Sequence, residues 1–214
     1  MNEFTQRYWQ WGLLGLIVVP VVILWLQRFG LSLDGIGALQ VFPYLGILAW
    51  GVMWTHYAGG LLRKNFDLKP SHIYSVFSHY SVTALILLHP GLLAYGQYES
   101  TGTKPLQSYW NYVGTSAKAA VTAGLIALLT FLSYDVYRKL QSKDFWKRQQ
   151  WIVSLMQSTA MTLIFWHGLR IGQHLQSGWF RYWWIVLGVV LLAGQYSDIK
   201  RAFDQRFPAG STSV

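Results

Sequence analysis

The sequence predicts an all-α integral membrane protein, a bundle of six transmembrane helices with both termini in the cytoplasm. Three observations predict it. Only 12% of the 214 residues are charged, against 53% hydrophobic and 17% aromatic, whereas soluble domains carry about 25% charged residues. The apolar residues come in blocks of about 20 rather than in amphipathic periods, the length a helix needs to cross a bilayer core. If six helices alternate, 12 of the 17 Lys and Arg fall on the side of the termini and 5 (Arg28, Lys104, Lys118, Arg170, Arg181) on the other. The positive-inside rule then puts the termini in the cytoplasm.

The first block, 11–27, follows the aromatic cluster RYWQW. It lacks a basic leader and a small-residue cleavage site, so it reads as a retained helix and not a signal peptide. The second, 36–57, carries His56 and the glycines 46 and 51, and gives way to RKNFDLKPS on the cytoplasmic side. The third, 73–97, contains LILLHPGLLAY, with His89 in an apolar run and Pro90 placed to kink the helix beside it. The longest connection, 98–114, is rich in Gly, Pro, Ser and Thr and reads as a loop with a short interfacial piece around Trp110. The fourth block, 115–137, ends near Asp135 and leads into the basic turn RKLQSKDFWKRQQ. The fifth, 150–171, ends in TLIFWHGLRIG, which carries His167. The sixth, 180–197, opens in WFRYWW, an interfacial aromatic belt. Residues 1–200 thus form one transmembrane domain, and 201–214 a short cytoplasmic tail with a frayed end. The sequence shows no internal repeat on inspection.

Several chemistries are excluded. With no cysteine, there is no disulfide, thiolate metal site or covalent c-type haem attachment. No phosphate loop, dinucleotide fingerprint, GxSxG or HExxH motif is present. The formal charge of +9 follows from topology and from contact with anionic lipid headgroups, not from nucleic-acid binding. The eight carboxylates lie mostly in loops, which leaves an intramembrane proton relay little to work with. The chemistry rests on histidine.

Six histidines are present, and two stand out. His89 lies 16 residues past the start of block three and His167 lies 17 past the start of block five. At ~1.5 Å per residue they share one depth, in the non-cytoplasmic half, on helices that run the same way. Taken singly, each is as well explained as a hydrogen-bonded packing residue. Together they make the geometry of a bis-histidine b-type haem, which would also relieve the cost of burying polar rings. His174, two turns past His167 on the same face, is a candidate for a haem propionate or an alternative ligand. Arg170 is a candidate propionate partner or a snorkelling charge. Gly91 and Gly168, beside the two ligands, are the preferred close-approach glycines among positions 46, 51, 59, 60, 91 and 168. His79, about 15 Å from His89 along the helix, would face an inner cofactor or quinone with Gln157 and Met156, or hydrogen-bond across an interface. His56 and His72 read as interfacial residues.

These stretches also carry a resemblance. LILLHPGLLAY resembles the second half of helix three in ferric reductase-like transmembrane domains, a family that includes NADPH-oxidase cores, metalloreductases and the haem subunit of a periplasmic methionine sulfoxide repair system. IFWHGLRIG is similar to that family's fifth-helix ending, and FLSYDVYRKL followed by FWKRQQW resembles its cytoplasmic basic turn. Two-haem members carry a second histidine about 13 or 14 residues before each of these; here counting back 14 from His89 gives Ser75, and 13 from His167 gives Ser154. The resemblance therefore implies one haem b, with a flavin in the inner half as in single-haem metalloreductases.

The expectation is a multi-pass cytochrome of a bacterial inner membrane, the electron-transfer component of an oxidoreductase system. His89 and His167 would ligate one haem. A separate donor protein, a bound flavin or quinol would reduce it from the cytoplasmic side, and an acceptor would lie outside. The alternatives are a quinone-reactive cytochrome b subunit and a non-redox transporter of haem or metal.

Overall fold

A computed structural model describes residues 3–112, 114–140 and 150–206. Most of the basic turn at 138–150 and the PAGSTSV end of the tail lie outside these residues. All the regular structure among the described residues is helical. The helices are α1 (Glu3–Phe29), α2 (Ala38–Phe66), α3 (His72–Thr101), α4 (Pro105–Asn111), α5 (Lys118–Leu140), α6 (Gln150–Ile171) and α7 (Trp179–Arg206). Single 3-10 turns at Thr115–Ala117 and Gln173–Leu175 lead into α5 and α7.

Five of these helices, α1, α2, α3, α6 and α7, are long and apolar enough to cross a membrane, as befits a helical membrane protein. The fourth block also forms a helix, of 23 residues, whose described apolar part is Lys118–Tyr134. The loop expected at 98–114 contains a structured piece: α4 holds Trp110 and starts on Pro105, where a missing N–H costs nothing. At the other end of the bundle, Ser71 caps α3 by accepting from the Tyr74 N–H at 3.3 Å. Helix α7 continues to Arg206, so regular structure runs into the segment read as tail.

Helix α2 is the centre of the bundle. It packs most closely against α3 and also meets α1, α6 and α7, while α5 pairs with α6. More than half of its membrane span is buried, and little of α1 or α3 is. Its apolar residues face all round, the pattern of a helix enclosed by others. Trp50 and Trp54 anchor it. The Trp50 indole lies 4.1 Å from that of Trp184, centroid to centroid, and donates to the Met161 carbonyl at 3.3 Å. Trp54 donates to the Leu187 carbonyl at 2.7 Å. Both indoles bury their rings and still satisfy their N–H, as the interior requires. Across α6 and α7, Gln195 donates to the Ser158 carbonyl at 2.7 Å and accepts from the Thr162 hydroxyl at 3.1 Å.

The two long helix pairs, α2–α3 and α5–α6, hold the two histidines singled out above. His89 and His167 each lie 17 residues past the first residue of their helix, His72 and Gln150. That equality places both imidazoles towards the end of the bundle that carries α4.

Candidate functional site

Each histidine is held by the partner helix of its pair, and in the same manner. Nδ1 of His89 donates to the Phe42 carbonyl of α2 at 2.7 Å, and Nδ1 of His167 donates to the Ala120 carbonyl of α5 at 2.7 Å. A carbonyl can only accept, so Nδ1 carries the hydrogen and the lone pair of the neutral ring is on Nε2. This second bond to a backbone carbonyl is what fixes the tautomer and orientation of metal-ligating imidazoles.

A glycine makes room for each ring. A Cβ on Gly46 would lie 2.7 Å from the His89 ring, and a Cβ on Gly124 would lie 2.7 Å from the His167 ring. In both cases the glycine stands four residues after the accepting carbonyl, one turn along the same helix. The offset between corresponding residues is constant: 42 to 120, 46 to 124 and 89 to 167 are each 78 apart. The short runs LILLH and LIFWH align at the same offset. The two helix hairpins therefore repeat the same set of contacts at a constant offset of 78 residues.

The two imidazoles line one cavity of about 320 Å³, within the size range of small-molecule sites. Its wall is largely apolar and follows the repeat, with Gly46 and Gly124, Trp50 and Leu128, and Ile86 and Ile164 as corresponding positions. Trp184 also lines it, and its buried indole N–H has no partner in the protein. The aromatic residues Tyr109, Trp110 and Tyr112, from α4 and its end, close the mouth. Tyr109 donates to the Pro90 carbonyl at 3.3 Å, and Gln173 donates to the Tyr112 hydroxyl at 3.2 Å.

His174 lines the same cavity at its mouth, with its ring 4.7 Å from that of Tyr44. Burial, with the Arg28 charge adding, pushes it down to about 4. Burial also raises the Tyr112 phenol, against the lowering effect of Arg28. The cation whose charge reaches both His174 and Tyr112 is Arg28 of α1. Arg170 is exposed and does not line the cavity. Gly168 does line it, but Gly91 faces open space. His79 lies elsewhere, in a second cavity with Ser75, Ser154 and Gln157. His56 lines that second cavity as well, hydrogen-bonded to the Ser78 hydroxyl at 3.0 Å. Met156, paired with His79 from sequence, is not on its wall.

A pH dependence follows from His174. Its ordinary pKa is about 6.5, so between about 6.5 and about 4 the unfolded chain binds a proton that the folded chain does not. Stability then falls as the pH drops through that interval and is fully present above it. A His174→Gln variant should show a shallower decline, checked by melting the two proteins in detergent between pH 4 and pH 7.

Among the described residues no group of three or more His, Cys, Asp or Glu side chains is placed to hold a metal ion. Two imidazoles supply two ligands, and any further ligands must arrive with the bound group. Comparison of the chain with protein-family models, curated proteins and solved structures gives no match.

Proposed function

We propose that the chain is a membrane b-type cytochrome that holds one haem between His89 and His167. The observation that carries this reading is the pair of imidazoles, each fixed as the Nδ1–H form against a partner-helix carbonyl, in one shared apolar cavity. A haem would be held by the two neutral Nε2 atoms of His89 and His167, and its iron would supply one-electron redox chemistry. Gly46 and Gly124 set the rings back against their helices. Arg28, His174 and the Tyr112 hydroxyl at the mouth, with the unpaired Trp184 N–H in the wall, are partners for the two propionates.

On this reading six helices span the membrane, α5 among them. Both termini are cytoplasmic by the 12 to 5 division of Lys and Arg. The haem then sits in the outer half and passes single electrons from a cytoplasmic-side donor to an acceptor outside. The sequence resemblance to ferric reductase-like domains supports the same assignment, and a bacterial inner membrane suits it.

The test is a reduced-minus-oxidised absorption spectrum of the purified protein, with haem quantified per chain. One low-spin b haem is expected. No haem after expression with ample haem supply would overturn the reading in favour of a non-redox transporter, and two would show that the second cavity also ligates iron.

The glycines give a sharper check. Gly46→Ala and Gly124→Ala put a methyl group 2.7 Å from an imidazole, and the ring must leave its carbonyl. Losing such an outer-shell hold typically costs about 10–100-fold in affinity, so each variant should lose haem on titration against a competing apoprotein. Gly91→Ala, which meets nothing, should retain it.

A further inference from the structure

The second cavity adjoins the first on the side of the α2–α3 turn, lined there by His56, Ser75 and Ser78. Its volume is about 540 Å³, and corresponding positions of the two hairpins again face it: Met53 and Phe131, His56 and Tyr134, His79 and Gln157, each 78 apart. The cavities share Met53, Ile86 and Phe131, which form the apolar partition between them. In the first cavity the decisive pair is two histidines. In the second it is one histidine and one glutamine, so the two hairpins offer different chemistry to the two edges of whatever lies between them.

We propose that this second cavity is a binding site for a neutral ring with an oxygen on each of two opposite edges, the quinol class of membrane-soluble molecules. His79 offers an imidazole at one edge. Gln157 offers its amide at the other; its nitrogen already donates to the Thr130 carbonyl at 3.1 Å, which leaves Oε1 as the acceptor for a ring hydroxyl. A polar wall at this depth in a bilayer calls for a ligand that can hydrogen-bond. The lining offers a flavin nucleotide little: among the described lining residues there is no Lys or Arg to meet a phosphate, and the one carboxylate, Asp198, is paired with Arg201 at 3.7 Å. A quinol has no such group. Oxidation of the quinol to the quinone breaks two O–H bonds. One proton would go to the His79 imidazole and one to water, and the two electrons would pass singly to a haem bound beyond the partition, which its acceptor reoxidises between them. Only this last role rests on the haem reading; the site itself does not.

The experiment uses the full chain in lipid nanodiscs with a decyl benzoquinone carrying a photoreactive azido group, and maps the labelled peptides by mass spectrometry. Labelling is expected on α3 and α6 around His79 and Gln157, at an unchanged level in His89→Ala. It should fall at least tenfold in the pair His79→Ala with Gln157→Leu, and several-fold in Gln157→Met, which keeps the side chain's length should the double variant not fold. An excess of unlabelled decyl quinone should displace the probe, and flavin mononucleotide should not. Labelling scattered over lipid-facing helices, labelling indifferent to Gln157→Met, dependence on His89, or displacement by flavin mononucleotide would each overturn the proposal.

Discussion

If the chain holds haem between His89 and His167, haem content is expected to fall to background in the double variant His89→Ala with His167→Ala, and each single variant should lose the low-spin bis-imidazole spectrum. A single alanine would leave a bound haem held by one imidazole, with an apolar gap on the opposite face. If loss of a hydrogen bond behind a ligand costs about 10–100-fold, loss of the ligand costs more, and haem per chain in the single variants should drop by at least ~100-fold at limiting haem. The control is His79→Ala, whose residue lies in the other cavity and which should keep the low-spin spectrum. A single variant at His89 or His167 with full haem content would remove the assignment.

Trp54→Ala should cost about 3–5 kcal/mol, the range for truncating a buried indole. In a bilayer, lipid tails are as apolar as the helix interior, so packing and interhelical hydrogen bonds must supply the association. Trp54 provides both at the α2–α7 joint: it is 3% exposed and donates to the Leu187 carbonyl at 2.7 Å. Trp54→Phe keeps most of the packing and loses the hydrogen bond, for which about 0.5–1.5 kcal/mol is the expected net cost. Unfolding titrations in mixed micelles would order the three proteins, and equal losses in the two variants would show that the ring is not what holds the joint.

The helices and the two histidines were legible in the sequence because bilayer thickness fixes helix length and a polar ring stands out in an apolar run. Equal depth could be counted for the same reason: α3 and α6 start at the same end of the bundle. The rest required contacts between helices. Helical periodicity pointed to Arg170 as the cation beside His167, yet the charge that acts on His174 is that of Arg28, on α1. Adjacency to His89 favoured Gly91, although the close approaches to the imidazoles are at Gly46 and Gly124 on the partner helices. The repeat is hidden because few positions are constrained by it. A glycine, an accepting carbonyl and a histidine must recur, whereas on a lipid-facing surface nearly any apolar residue serves. Only the 78-residue offset shared by Gly46 with Gly124 and His89 with His167 betrays it.

The likeness of the two hairpins bears on how a porphyrin would be seated. Haem b has unequal edges, and a half-turn about the line through its propionate side exchanges vinyl and methyl positions while keeping the carboxylates at the mouth. The walls supplied by the two hairpins distinguish the two seatings where corresponding residues differ, as at Trp50 and Leu128, and Trp184 and the α4 aromatics add walls with no counterpart. Rotational isomerism of the bound cofactor is the expected consequence, visible as two sets of hyperfine-shifted methyl resonances in the ferric protein. Exchanging Trp50 and Leu128 between the hairpins should invert their ratio.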